Sequence, residues 1–240
     1  MENAQILTEK RPGGILLVTL NSPPLNLQTL DSMDLLERIV EDIAVDAAVR
    51  ALVLAGAGGR VFCAGSDVKE FPSLRGSFVE QKLRRENAVF TQLSELPIPT
   101  VAAMGGSAMG GGYEIALCCD FRIMSETAQI GLPEINLGNF PGSGGPMRLA
   151  RLIGPARAME LMSLGTSVDA QTALRMGLVH AAVPREQVLD TAFQMAARFA
   201  ALPRGYAAAV KELIYAGTYE TPAQAADHAM KTARRYKDFG

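Results

Sequence analysis

The sequence predicts an α/β fold with a C-terminal helical region, and three observations carry that prediction. Strand, turn and helix patterns recur roughly three times within the first 130 residues. From Pro184 onward only helical patterns appear, rich in alanine and free of strand signals. The composition, 48% hydrophobic and 20% charged over 240 residues, suits a soluble globular chain with a sizeable core. The natural division is a core over residues 1–183 and a helical region over residues 184–240.

Taken in order, a weak strand near residues 5–9 precedes a stronger, buried one over residues 14–20. Pro23 and Pro24 then stop the ladder, because proline has no N–H to donate. Thr29 or Asp31 can cap a helix over residues 30–47. Leu36, Ile39, Val40 and Ile43 form its apolar stripe, and Glu37, Arg38, Glu41 and Asp42 its wet face. Residues 51–55 are the next strand. Gly56-Ala-Gly after it begins like a dinucleotide fingerprint, but the third glycine is missing and the chain enters Val61-Phe62-Cys63 instead of an amphipathic helix. That reading is discarded. What is left is a tight turn, a short apolar segment and a small-residue corner at Ala64-Gly65-Ser66, where backbone can approach a ligand.

Residues 75–96 read as mostly helical, ended by Pro97 and Pro99. Residues 137–145 form a loop, and helices follow over residues 146–152 and 155–164. Asp169 caps a short helix to Met176, Gly177 ends it, and residues 178–183 return as a strand. Helical patterns then cover residues 185–201, 204–216 and 222–236. Lys231, Arg234, Arg235 and Lys237 give the last one a basic face, read as solvated in preference to a phosphate anchor.

Several function classes are disfavoured by what is missing. Net charge is −2, which gives no global basic field for nucleic acid. No apolar run reaches membrane-span length and the N-terminus has no signal pattern, so the chain is expected to be cytoplasmic. Cys63, Cys118 and Cys119 form no CxxC pair, and an odd count fits a reducing compartment. His180 and His228 stand far apart, without the neighbours a metal site or a catalytic triad needs, and no metal is expected. Ser107 and Ser143 miss the spacing of a nucleophile elbow.

Chemistry concentrates in residues 104–142. Residues 100–104 read as a buried strand and residues 115–119 as a buried helix, with Gly110, Gly111 and Gly112 where that helix should begin. Three glycines there sacrifice about 1 kcal/mol of helix propensity each relative to alanine. In return they allow close backbone approach and leave N–H groups pointing outward, a place to hold developing negative charge. Glu114 follows in the first turn among Ile115, Ala116, Leu117 and Cys118. The plain reading is an exposed glutamate at a helix dipole. The reading preferred here is a general acid or base with a raised pKa beside an oxyanion site.

These residues resemble the enoyl-CoA hydratase/isomerase (crotonase) superfamily over nearly the whole chain. The resemblance is carried by Phe62-Cys-Ala-Gly-Ser-Asp-Val-Lys-Glu, by Gly110-Gly-Gly-Tyr-Glu-Ile-Ala-Leu-Cys-Cys-Asp, by Gly131-Leu-Pro-Glu-Ile-Asn-Leu-Gly and by Ala173-Leu-Arg-Met-Gly-Leu-Val. It implies a spiral of strand–strand–helix units, C-terminal helices used in assembly of a trimer or a dimer of trimers, and an acyl-CoA thioester as substrate. Coenzyme A would then be part of the substrate, and no separate cofactor is implied. By the resemblance, the N–H groups of Ala64 and Gly111 form the oxyanion hole, Glu114 and Glu134 are the paired catalytic glutamates, and the Gly142 N–H helps hold water. The resemblance also implies that the backbone of Gly65, Ser66, Asp67 and Val68 is the segment along which the CoA adenine binds.

Leu132, where some relatives carry a polar residue, implies an adapted acyl pocket. The sequence ends at Gly240, where the family continues into a further helical segment, so a reorganised closure of the site is expected. Hydration of an enoyl thioester passes through an enolate, which two N–H donors stabilise while two carboxyls move protons. The segment 122–131 is expected to bring the glutamates together with their pKa values pushed apart. The nearest alternative is an isomerase or other acyl-CoA lyase, and a more distant one is a non-catalytic RNA-binding or scaffold relative.

Overall fold

The computed structural model describes residues 5–74 and 76–235. Arg75, Tyr236 and Lys237, on which the ends of two predicted helices and part of the basic face fell, lie outside the described residues.

The chain opens with β1 (Ile6–Arg11) and β2 (Ile15–Leu20), an antiparallel hairpin with Ile6 opposite Leu20. Thr29 then caps α1 (Leu30–Val45). Its hydroxyl accepts the Ser32 N–H at 3.1 Å and the Ser32 hydroxyl accepts the Thr29 N–H at 2.9 Å, a reciprocal capping box. Next come β3 (Ala51–Gly56) and β4 (Val61–Cys63). The helix predicted over residues 75–96 is two pieces, a wide π-type turn at Val79–Leu83 and then α2 (Arg84–Glu95).

The remaining elements are β5 (Thr100–Met104), β6 (Ser107–Met109), α3 (Gly111–Cys118), β7 (Phe121–Ser125), β8 (Gln129–Gly131), α4 (Gly145–Ile153), α5 (Pro155–Leu164) and β9 (Ser167–Asp169). They are followed by α6 (Ala170–Arg175), β10 (Ala181–Val183), α7 (Val188–Ala200), α8 (Tyr206–Tyr219) and α9 (Pro222–Arg235). The strand predicted over residues 178–183 keeps only its last three positions; Leu178 and Val179 are buried in the approach to it. Strands β6, β8 and β9, three residues each, are too short to show a period in sequence.

Two sheets organise the molecule. The larger has the order β1-β2-β3-β5-β7-β10 and is parallel from β2 onward. The smaller has the order β4-β6-β8-β9, parallel until β9 reverses. The units β3-β4-α2, β5-β6-α3 and β7-β8-α4 each place one strand in the large sheet, the next in the small sheet, and then a helix. This is the strand–strand–helix spiral.

Alternation along the large sheet builds two apolar layers. Leu16, Val18, Leu52, Leu54, Ala102 and Met104 join the core formed with α1, α2 and α3. Ile15, Leu17, Ala51, Val53, Val101 and Ile123 face the other way, onto Val188, Ala192 and Ala196 of α7. Helices α8 and α9 pack against each other, and the Lys211–Asp120 ion pair (3.0 Å) ties α8 to the body. Among the described residues, no helix is long and apolar enough to cross a membrane.

Arg122, on β7, is buried but bonded to main-chain carbonyls. Its Nε donates to the Leu178 carbonyl at 2.8 Å and its Nη1 to the Cys119 carbonyl at 2.7 Å, at the C-terminal end of α3 where the helix carries partial negative charge. Arg122→Met keeps the apolar stem but strands these carbonyls. It is expected to lower unfolding free energy by about 2–4 kcal/mol, read from the urea midpoint.

Candidate active site

Every residue of α3 is buried, as a helix with no polar face requires. Its first turn fits tightly against the end of β4: a Cβ on Gly112 would overlap the Cys63 carbonyl. Gly65 is the reciprocal case. It sits at φ +99°, and a Cβ there would lie 2.9 Å from the Met109 carbonyl and 3.3 Å from the Gly111 nitrogen. The corner after β4 and the start of α3 therefore interlock through backbone.

The N–H groups at this junction can be accounted for one by one. Ala64, expected to be an oxyanion donor, instead donates its N–H to the Leu25 carbonyl at 3.0 Å, so it is not free for a ligand. The Gln28 N–H bonds the Gly65 carbonyl (2.9 Å) and the Asp67 N–H bonds the Gln28 carbonyl (2.8 Å). Ser66 lies between these two bonds, so its own N–H points the other way, as alternate groups on an extended strand do. Neither Ser66 N–H nor Gly111 N–H finds an acceptor among the described residues. Gln28 also donates Nε2 to the Gly111 carbonyl at 3.0 Å, so one residue holds both segments in place.

Glu114 lies with its Oε1 against the start of α4, accepting the N–H groups of Ser143 (2.9 Å) and Gly145 (2.8 Å). Burial pushes its carboxyl up to about 7; the Gly145 and Ser143 N–H groups pull it back, and the charges of Glu134 and Glu86 push it further up. Glu134 arrives by a different route. Strand β7 returns the chain to the large sheet and β8 brings it back beside β6, so segment 122–131 does carry it toward α3. A Cβ on Gly110 would lie 3.1 Å from Glu134 Oε1, and Glu134 Oε2 is buried with no partner among the described residues. Burial raises this carboxyl as well. Burial is thus the first cause of both shifts.

The Gly142 carbonyl accepts Asn87 Nδ2 at 2.6 Å, while its N–H has no acceptor among the described residues. Gly65, Ser66 and Asp67 line the interlocked corner, and Val68 beyond them is exposed. Sequence reasoning missed Gln28, Ser143, Gly145 and Glu86. For Glu86 a signal was present: it falls on the same helical stripe as Val89, Phe90 and Leu93, an apolar face on which a charge needs a reason.

A family model described as enoyl-CoA hydratase/isomerase matches residues 10–237. The short-chain-enoyl-CoA hydratase of Clostridium acetobutylicum is 38% identical over 197 residues, covering 82% of this chain and 75% of that protein. The crystal structure of enoyl-CoA hydratase from Bacillus anthracis superposes with a TM-score of 0.92 at 32% identity, over 96% of this chain and 90% of that one. Pseudomonas aeruginosa DspI does so with a TM-score of 0.94 at 32% identity, over 99% and 97%.

The raised Glu114 carboxyl has a consequence for stability. Its folded value of about 7 stands above its ordinary 4.5, so the contribution is present below 4.5 and lost as pH rises through 7. Glu114→Gln keeps an oxygen for the Ser143 and Gly145 N–H groups and carries no charge. It is expected to exceed the parent in stability by about 3 kcal/mol at pH 8, with the difference fading toward pH 4. Urea unfolding at the two pH values checks this.

Proposed function

Because the chain belongs to the enoyl-CoA hydratase/isomerase family, we propose that it adds water across the double bond of an α,β-unsaturated enoyl-CoA thioester, or runs the reverse dehydration. The observation that carries this reading is the pair Glu114 and Glu134 beside two unclaimed backbone N–H groups, those of Ser66 and Gly111. The thioester oxygen accepts from those two donors. Glu114, whose Oε1 is held by two N–H groups, takes a proton from water as the water oxygen bonds to the β-carbon. The π electrons move onto the thioester oxygen, and the resulting enolate collapses as its α-carbon takes a proton from Glu134.

The Gly142 N–H holds the water, and the backbone of Gly65, Ser66, Asp67 and Val68 runs along the CoA adenine. Loss of one oxyanion donor costs about 2.7–4 kcal/mol of barrier, and acid–base help is worth roughly 10²–10⁴-fold. An isomerase needs the same donors but one proton-carrying group, and the second carboxyl favours hydration. Coenzyme A enters as part of the substrate. Exposed apolar residues on α5 and α8, Met159, Leu164, Val210 and Ile214, support assembly into a trimer or a dimer of trimers.

Glu114→Gln and Glu134→Gln are each expected to lower kcat on crotonyl-CoA by about 10²-fold or more, followed by loss of the enoyl absorbance. Acyl-CoA binding by calorimetry should hold in both. Undiminished turnover in the two variants would refute the assignment. Light scattering on the wild-type chain tests the assembly, and a monomeric mass would remove it.

A further inference from the structure

A charge pair lies behind the two glutamates, and the proposed reaction makes no direct use of it. Lys82 and Glu86 stand one helical turn apart where the Val79–Leu83 turn passes into α2. Their side chains are 1% and 2% exposed, and Nζ lies 2.7 Å from Oε1. The Lys82 ammonium also lies 5.7 Å from the centroid of the Phe71 ring. Desolvating two charges is costly, and a packed apolar pair is often as stable, so the fold alone gives little reason for them.

Their contacts point to the reason. Glu86 Oε2 accepts the Ser143 hydroxyl at 2.6 Å, and Glu86 Oε1 accepts the Ser66 hydroxyl at 3.4 Å. These two serines carry backbone N–H groups with work to do: that of Ser143 holds Glu114, and that of Ser66 is unclaimed. One buried carboxylate thus grips, by their side chains, residues from both halves of the site. We propose that Glu86, pinned by Lys82, is a positioning residue that keeps the Ser143 N–H on Glu114 and the Ser66 N–H turned toward the thioester oxygen. This rests on the hydratase reading.

The charges around this point come from several elements. Glu114 faces Glu134 and Glu86. Glu86 faces Lys82 from the π-type turn, Glu114 from α3 and the Cys63 thiol from β4. Arg148 of α4 donates to the Ser143 carbonyl at 3.0 Å. The Glu86 carboxylate opposes ionisation of Glu114. Replacing Glu86 by Gln keeps an acceptor for Ser143 but removes the anion, which lets Glu114 release its proton at lower pH.

The test measures crotonyl-CoA hydration against pH, with melting midpoints, for the wild-type chain, Ser143→Ala, Glu86→Gln and the double variant Lys82→Met/Glu86→Gln. Ser143→Ala leaves the Lys82–Glu86 pair intact, so it remains informative where the charge variants fold poorly. Ser143→Ala is expected to lower kcat about tenfold with KM within about twofold, the pattern of an interaction made in the transition state. Glu86→Gln is expected to move the acid limb of the kcat profile to lower pH by about half a unit or more. Folded variants with wild-type kcat and an unmoved acid limb, beside an active wild type, would overturn the positioning role alone. A wild-type chain that hydrates no enoyl-CoA would overturn the hydratase reading, and the positioning role with it.

Discussion

The contact between the Cys63 carbonyl and the first turn of α3 is the constraint on which the rest of the site depends. It demands a glycine at position 112, and it packs the corner after β4 against the first turn of α3. The segments come from different turns of the spiral, yet β4 and β6 are neighbours in the small sheet, so the fold delivers them side by side. Gln28 closes the arrangement with main-chain bonds to one segment and a side-chain bond to the other.

Around that junction the molecule gathers acidic groups in an apolar setting. Glu114 feels the charges of Glu134 and Glu86, Lys82 pairs with Glu86, and Ser143 and Gly145 at the entry to α4 supply the N–H groups that make Glu114 tolerable as an anion. A carboxyl kept reluctant to ionise is one that can exchange protons near neutral pH. Burial therefore sets the chemistry as well as the packing.

Much of this was legible in the sequence. The α1 cap at Thr29, the strand at Thr100–Met104 and the start of a buried helix at the glycines before Glu114 all rest on local rules that the structure obeys. The Ala64 assignment failed because which N–H is free depends on a partner, the Leu25 carbonyl, nearly forty residues away in the chain. How far each glutamate's carboxyl is raised depends on the depth of its burial, which spacing does not report. Glu86 could have been suspected from its apolar stripe, but its reach to Ser66 and Ser143 exists only once three elements meet.

The burial of α3 also divides the labour of the protein. All eight of its residues are locked into the core, whereas Ile135, Leu137 and Phe140 in the segment after Glu134 stand 47%, 76% and 66% exposed. Substitutions in the helix are paid for in stability, while those outer side chains can be exchanged at little cost to folding. The helix is held by its packing as one rigid unit, and the surface beside it is left open to change.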